Sequence, residues 1–217
     1  DANLSSAAVN CIIGIYRENI VVYGEQNHAG TTLMKERHDA FLGASEFALA
    51  FEKEIAAMGR EDIVGTIGYI NVRPNASNII PGTVELSLEL RTVDPKLKEE
   101  LIERLNQDTR EIEKRRGIKI IRKLNLDQRE MPLDRQVMEA VKRGIESQGV
   151  PSIDLVSMAG HDAANMQRVT QSGMIFVKSI NGKSHCPEEY SEMKDIEITA
   201  NAMLEAVLIL DEEMDRQ

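Results

Sequence analysis

Thr83-Val84-Glu85-Leu86-Ser87-Leu88-Glu89-Leu90-Arg91-Thr92 alternates apolar and polar side chains without a break. Successive side chains of a strand point to opposite faces. Val84, Leu86, Leu88 and Leu90 therefore share one face, and Glu85, Ser87, Glu89 and Arg91 share the other. A strand buried on one side only belongs to an antiparallel sheet with one solvated face. Two residues later, Asp94-Pro95 puts a capping carboxylate before a proline at the first helical position, where the missing N–H is no loss. The predicted helix over residues 94–116 turns Leu97, Leu101, Leu105 and Ile112 inward. Gly117 stops it, and residues 118–124 read as a further strand.

Upstream, Asn19-Ile20-Val21-Val22-Tyr23-Gly24 reads as a strand. Residues 39–58 place Phe41, Ala44, Ala48, Phe51 and Ile55 on one predicted helical face. Residues 63–72 are β-rich and lead into a Pro/Asn/Ser loop. The order is β-α-β-β-α-β, the ferredoxin-like motif, assigned to about residues 15–126.

Beyond it the character changes. Asp127-Gln128-Arg129-Glu130-Met131-Pro132 reads as a polar linker, and Asp134 caps a predicted helix carrying Val137, Met138, Val141 and Ile145. Residues 153–156 make a short strand, and Asp162 opens a short helix. Met174-Ile175-Phe176-Val177 reads as a strand of the fully buried kind. Residues 194–214 form a last amphipathic helix through Ile198, Met203, Val207 and Leu210. Residues 127–217, with residues 1–14 added, supply too few strands for an independent α/β domain. They are expected to be part of one.

Composition narrows the function classes. The 217 residues carry a net charge of −10, which works against phosphate-backbone attraction. Tryptophan is absent and aromatics make up 4%, a poor supply of base-stacking platforms. No apolar run approaches the length of a membrane span, and the first ten residues lack the basic segment of a secretory signal. Neither nucleic acid nor membrane is an expected partner. Cys11 and Cys186 follow no metal or redox spacing, so they are expected to be reduced thiols of a cytoplasmic protein. The ten methionines read as core filler.

Three of the four histidines sit in glycine-flanked turns. They are Asn27-His28-Ala29-Gly30-Thr31-Thr32, Ala159-Gly160-His161-Asp162-Ala163, and Gly182-Lys183-Ser184-His185-Cys186-Pro187-Glu188-Glu189. Imidazole ligates metals, polarises carbonyls and moves protons near neutral pH. On chemistry alone His28 also reads as a loop histidine satisfied by its neighbours. His161 faces a substrate, or merely precedes a helix whose N–H groups Asp162 caps. His185 is a metal ligand or a lone exposed ring. Arg91 is a surface ion pair or a bidentate clamp on a carboxylate, and Asn78 in Asn75-Ala76-Ser77-Asn78 is an ordinary turn residue or part of a site.

Taken in order, five segments resemble one family, the N-carbamoyl-L-amino-acid hydrolases, with their allantoate amidohydrolase and β-ureidopropionase members. The first is the His28 segment with Met34, Arg37, Asp39 and Ala40. The second is Arg73-Pro74-Asn75-Ala76-Ser77-Asn78-Ile79-Ile80-Pro81-Gly82, running into Leu88-Glu89-Leu90-Arg91. The others are Ala159-Gly160-His161-Asp162-Ala163, Gly173-Met174-Ile175-Phe176-Val177, and Ser184-His185-Cys186-Pro187-Glu188.

The resemblance implies a ferredoxin-like lid that also mediates homodimerisation, attached to the C-terminal portion of a zinc-peptidase-like α/β catalytic domain. By the match His185 is a metal ligand, and His161 binds and polarises the scissile ureido or amide group. Asn78 and Arg91 take the substrate carboxylate, and His28 stands near the scissile carbonyl, in some members of a neighbouring subunit. By the resemblance, the family's two divalent ions, zinc or manganese, also require a His-x-Asp motif, a bridging Asp, a Glu-Glu pair and a further His, carried on a catalytic segment before the lid that has no counterpart in this sequence. The chain is therefore expected to be a fragment that binds no stoichiometric metal and is inactive alone, its parent cleaving a small ureido or carbamoyl acid. A non-catalytic dimerisation module, or a peptidase or deacylase of the same clan, are the alternatives.

Overall fold

In the computed structural model, which describes residues 3–215, β1 (Ser6–Ile12) is followed by β2 (Gly14–Tyr23), the short β3 (Asn27–His28) and α1 (Ala40–Ala57). β4 (Ile63–Arg73), β5 (Ile79–Ile80), β6 (Thr83–Thr92), α2 (Pro95–Arg116) and β7 (Lys119–Gln128) come next. Then follow β8 (Met131–Pro132), α3 (Arg135–Ser147), β9 (Asp154–Ser157), α4 (Ala163–Met166), β10 (Met174–Val177) and α5 (Met193–Met214). Gly14–Glu130 forms one compact unit. The other combines the residues before Gly14 with those from Met131 onward.

The Gly14–Glu130 unit is a four-stranded sheet in the order β4-β6-β2-β7, with every neighbouring pair antiparallel. Together with α1 and α2 this is the ferredoxin-like topology. In β6, Val84, Leu86, Leu88 and Leu90 are buried and the residues between them half-buried. The buried row packs with Ile20 and Val22 of β2 against Ala44, Phe47 and Phe51 of α1 and Leu101, Leu105 and Ile112 of α2. Each such leucine or phenylalanine contributes about 1.5–3 kcal/mol by leaving water. Asp94 caps α2, accepting from the N–H of Lys96 at 3.0 Å, and Gly117 closes it at φ 63°, a left-handed conformation that suits glycine.

Two details differ from the sequence reading. The inner face of α1 runs through Ala40, Ala44, Phe47 and Phe51, while Phe41 is 41% exposed. Each helical residue turns the chain by about 100°, so taking Phe41 for Ala40 and Ala48 for Phe47 rotates the stripe by one position. The last strand also outruns its expected end and takes in part of the presumed linker. β7 continues to Gln128 because Ile15 offers it a pairing partner.

In the second unit β1 is central. It pairs antiparallel with β10 along Ser6–Val9 and with β8 at Cys11 and Ile12, and parallel with β9. Cys11 lies opposite Pro132 and Ile12 opposite Met131, so the chain leaves this sheet and rejoins it at adjacent strands. Ala8 faces Ala140, Val141 and Ile145 of α3 and Ala202 and Ala206 of α5. Val9 and Ile12, with Leu133 and Ala164, form a second apolar group that takes in Phe176. Asp134 caps α3 as expected, accepting from Gln136 and Val137.

Three expectations are corrected here. Met203 and Val207 of α5 are 55% and 57% exposed, and the buried positions are Asp195, Ala202 and Ala206. Helix α3 approaches so closely at Gly144 that only small residues fit between the two helices; a Cβ on Gly144 would lie 2.2 Å from the Ala202 carbonyl oxygen. β10 is not fully buried either: Val177 is exposed and its other residues half-buried, since among the described residues it pairs with β1 alone. Asp162 precedes α4 but its side chain makes no capping hydrogen bond, because its backbone is already helical.

Candidate active site

His28 and Asn78 lie fifty positions apart in sequence and are joined by a two-stranded ladder. β3 pairs with β5, with Asn27 opposite Ile80 and His28 opposite Ile79, and the N–H of Ala29 donates to the Asn78 carbonyl at 2.9 Å. The ring is fixed by its own turn. The Gly30 N–H donates to His28 Nδ1 at 3.0 Å, and the Thr32 hydroxyl donates to the His28 carbonyl at 2.9 Å. With Nδ1 accepting, the neutral ring carries its proton on Nε2. His28 is exposed, so this turn offers an N–H donor suited to a carbonyl oxygen.

Arg37 braces the turn from behind, its guanidinium donating to the carbonyls of Ala29 at 2.5 Å and Thr32 at 3.1 Å. Chemistry alone would not have picked out Arg37; only its place in the motif marked it. Glycines assist where space runs out: a Cβ on Gly24 would lie 2.0 Å from the His38 carbonyl oxygen.

Arg91 stands elsewhere in the same unit. β5 leads through Pro81-Gly82 into the start of β6, whereas Arg91 is near the end of that strand. Arg91 is eight residue steps along the strand from Thr83, roughly 27 Å at the usual rise. One copy of this unit brings His28 and Asn78 together and sets Arg91 apart from them. Of the two readings for Arg91, the ion pair is the arrangement present: Nε and Nη2 reach Glu89 Oε1 at 2.7 and 2.6 Å. Burial raises the pKa of Glu89, but the hydrogen bonds from Arg17 and Arg91 outweigh it and hold the carboxyl below its ordinary range.

The other two histidines belong to the second unit. β9 delivers Ser157 to a buried position, and the chain turns through Ala159 and Gly160 to His161. His161 Nε2 lies 2.7 Å from Ser157 Oγ, and its ring rests against Phe176 at 5.7 Å between centroids. Phe176 also lines a cleft of about 800 Å³ with Ser6, Ala7, Leu155, Val177 and Ser179. That volume lies in the range of small-molecule sites. Ser157 escaped the sequence reading; its signal is a hydroxyl at the end of an apolar strand.

His185 follows a short helical turn at residues 180–182 and is exposed at φ 57°, its N–H donating to Glu189 Oε2 at 2.7 Å. A catalytic zinc takes about three protein ligands plus water. Among the described residues no group of three or more His, Cys, Asp or Glu side chains is arranged to hold a metal ion. The described residues do not by themselves fit a two-metal centre. Cys11 and Cys186 are both half-buried. No described helix is long and apolar enough to cross a membrane.

The Gly14–Glu130 unit interrupts the other unit in sequence, and three of the four histidines lie in turns beside strands or helices of the two. Residues 20–209 match the model of peptidase family M20/M25/M40, and the chain belongs to that family. It is 35% identical over 174 residues to a protein named ureidoglycolate hydrolase from Oryza sativa subsp. japonica, covering 80% of this chain and 36% of that protein. It is 30% identical over 210 residues to an N-carbamoyl-L-amino-acid amidohydrolase from Pseudomonas sp. (strain NS671), covering 95% and 50%. A solved amidase of the hydantoinase/carbamoylase family from Burkholderia vietnamiensis superposes with a TM-score of 0.88 at 29% identity, over 94% of this chain and 49% of the other. The chain spans half or less of the length of these curated relatives.

Proposed function

We propose that these residues form the lid and the substrate-facing part of the catalytic domain of a metal-dependent amidohydrolase. The reaction is cleavage of the C–N bond of an N-carbamoyl amino acid, allantoate or a related ureido acid. The observation that carries this reading is the similarity, over 80% and 95% of this chain, to relatives named for carbamoyl and ureido substrates. The local chemistry supports it: His28 presents an N–H donor beside the Asn78 loop, and the ring of His161 rests against Phe176, which lines a cleft of small-molecule size.

In the whole protein, two divalent ions, zinc or manganese, would supply Lewis-acid activation of water. His185 is the residue of this chain that contributes to holding them, and the remaining ligands and the general base come from a part of the protein outside these 217 residues. His28 polarises the scissile carbonyl, Asn78 and Arg91 bind the carboxylate, and His161 orients the ureido group. Since Arg91 lies far along β6 from the His28 turn, a second copy of the lid is the natural source of one of the two. The active species is accordingly a cytoplasmic homodimer joined through the lid.

The test compares the 217-residue chain with the product of the whole open reading frame. N-carbamoyl amino acids, allantoate and ureidoglycolate are assayed with zinc or manganese supplied, and bound metal is measured. Turnover and bound metal are expected for the longer product, and neither for the shorter one. Turnover by the 217 residues alone overturns the fragment reading; a longer product that cleaves only peptides overturns the substrate class.

A further inference from the structure

The contacts around Ser157 settle more than the position of His161. Ser157 is 1% exposed, and its single hydroxyl has three neighbours. They are the Ala159 carbonyl at 3.0 Å, the Ala159 N–H at 3.2 Å and His161 Nε2 at 2.7 Å. A serine hydroxyl has one hydrogen to give and two lone pairs to offer. The carbonyl can only accept and the amide can only donate. If the hydroxyl hydrogen goes to the carbonyl, both lone pairs are used by the Ala159 N–H and by an N–H on His161 Nε2. All three contacts are then hydrogen bonds. If the hydrogen goes to Nε2 instead, the carbonyl contact is lost and oxygen faces oxygen at 3.0 Å.

We propose that Ser157 is a positioning residue that holds His161 as its Nε2–H tautomer, leaving Nδ1 as a hydrogen-bond acceptor for a substrate N–H. Phe176 fixes the plane of the ring from one side, and Ser157 fixes its rotation about the Cβ–Cγ bond. Among the described residues Nδ1 has no hydrogen-bond partner. His28, in the other unit, holds the same tautomer by a different contact, its Nδ1 accepting from the Gly30 N–H. The ligand class rests on the hydrolase reading above, whereas the tautomer does not.

The tautomer is read in the 217-residue chain by NMR on ¹⁵N-histidine-labelled protein, at a pH where the ring is neutral, with His161→Asn identifying the resonances. The expected spectrum shows Nε2 protonated and Nδ1 bare, with an Nε2–H proton protected enough from water exchange to be seen directly. In Ser157→Ala that proton is lost to exchange and the ring nitrogens move toward the averaged positions of free imidazole. Ser157→Thr, which keeps the hydroxyl, restores the wild-type pattern. The resonances of the other three histidines report that the fold is intact. Should Ser157→Ala fail to fold, Ser157→Cys, a weaker acceptor of similar size, carries the same expectation. A wild-type ring protonated on Nδ1, or a Ser157→Ala spectrum identical to wild type, overturns the proposal. Because the readout involves no turnover, it is independent of the substrate assay.

Discussion

Arg122 holds both carboxylate oxygens of Glu18, Nε to Oε2 at 2.6 Å and Nη2 to Oε1 at 2.8 Å, within the apolar core of the ferredoxin-like unit. The side chains are 10% and 5% exposed. The pair ties β7 to β2, and Arg122 Nη1 reaches on to Asn106 of α2 at 2.7 Å. The Tyr16 hydroxyl also donates to Glu18; burial, and then that hydrogen bond, push its pKa above the usual range. The guanidinium lies over the Phe47 ring at 5.8 Å. Removing one partner leaves the other charge buried and alone, at about 3–5 kcal/mol. Glu18→Ala is expected to lose stability of that order in urea unfolding. Glu18→Leu combined with Arg122→Met recovers the larger part, and equal losses in the single and double variants would count against the charge-burial account.

Acid should weaken the same unit through Glu46. The hydrogen bond from Arg116 is the main influence on its carboxyl; burial opposes it, and the charges of Arg116 and Arg115 add to it. The net effect lowers the pKa below the ordinary glutamate value. A depressed folded-state pKa gives stability that is present above the unfolded value, about 4.3, and is lost as the pH falls through the folded value. Unfolding free energy measured downward from about pH 5 should fall, and Glu46→Gln should flatten that slope. An unchanged slope would remove Glu46 from the account.

Gly144→Ala is a sharp test of the α3–α5 contact. In an open helix the exchange gains about 1 kcal/mol of helix propensity. Here the added methyl would lie 2.2 Å from the Ala202 carbonyl oxygen and 3.1 Å from the Ala206 nitrogen, both backbone atoms that cannot step aside singly. Overpacking of this kind costs about 1–3 kcal/mol, so the clash prevails and the thermal midpoint should drop. A rise would mean that the helices separate freely.

The lid edge carries the dimer prediction. β4 is the outermost strand of its sheet and is uncharged from Ile63 to Val72, an edge of the kind that invites pairing. Tyr69 and Ile70 are 51% and 53% exposed on it. Sedimentation velocity should find a dimer, and Ile70→Lys should weaken it by about tenfold or more, since unfavourable charge at an interface costs several kcal/mol and each 1.4 kcal/mol is tenfold. A wild-type monomer at high concentration removes the dimer.

Local signals proved dependable where the chemistry is local. The alternation of β6, the Asp94-Pro95 start, the Gly117 stop and the Asp134 cap all depend on residues within a turn or two, and each appears as expected. What failed was the choice of face. Phe41 against Ala40, Ala48 against Phe47, and Met203 and Val207 against Ala202 and Ala206 are all apolar candidates one position apart. Hydrophobicity alone cannot rank them; the closeness of the facing helix does.

The site divides in the same way. By itself the sequence determined the order β-α-β-β-α-β, the helix ends, and which few histidines, with Asn78 and Arg91, were worth weighing, because side-chain periodicity and turn chemistry are written in adjacent residues. Only the tertiary structure joined His28 to Asn78, set Arg91 near the far end of β6, and seated His161 on Ser157. The ladder between β3 and β5 depends on strand pairing across many intervening residues. The Ser157–His161 contact depends on a turn whose direction the backbone sets in space. Hydrogen-bond roles follow from where atoms meet, and that is decided by the fold.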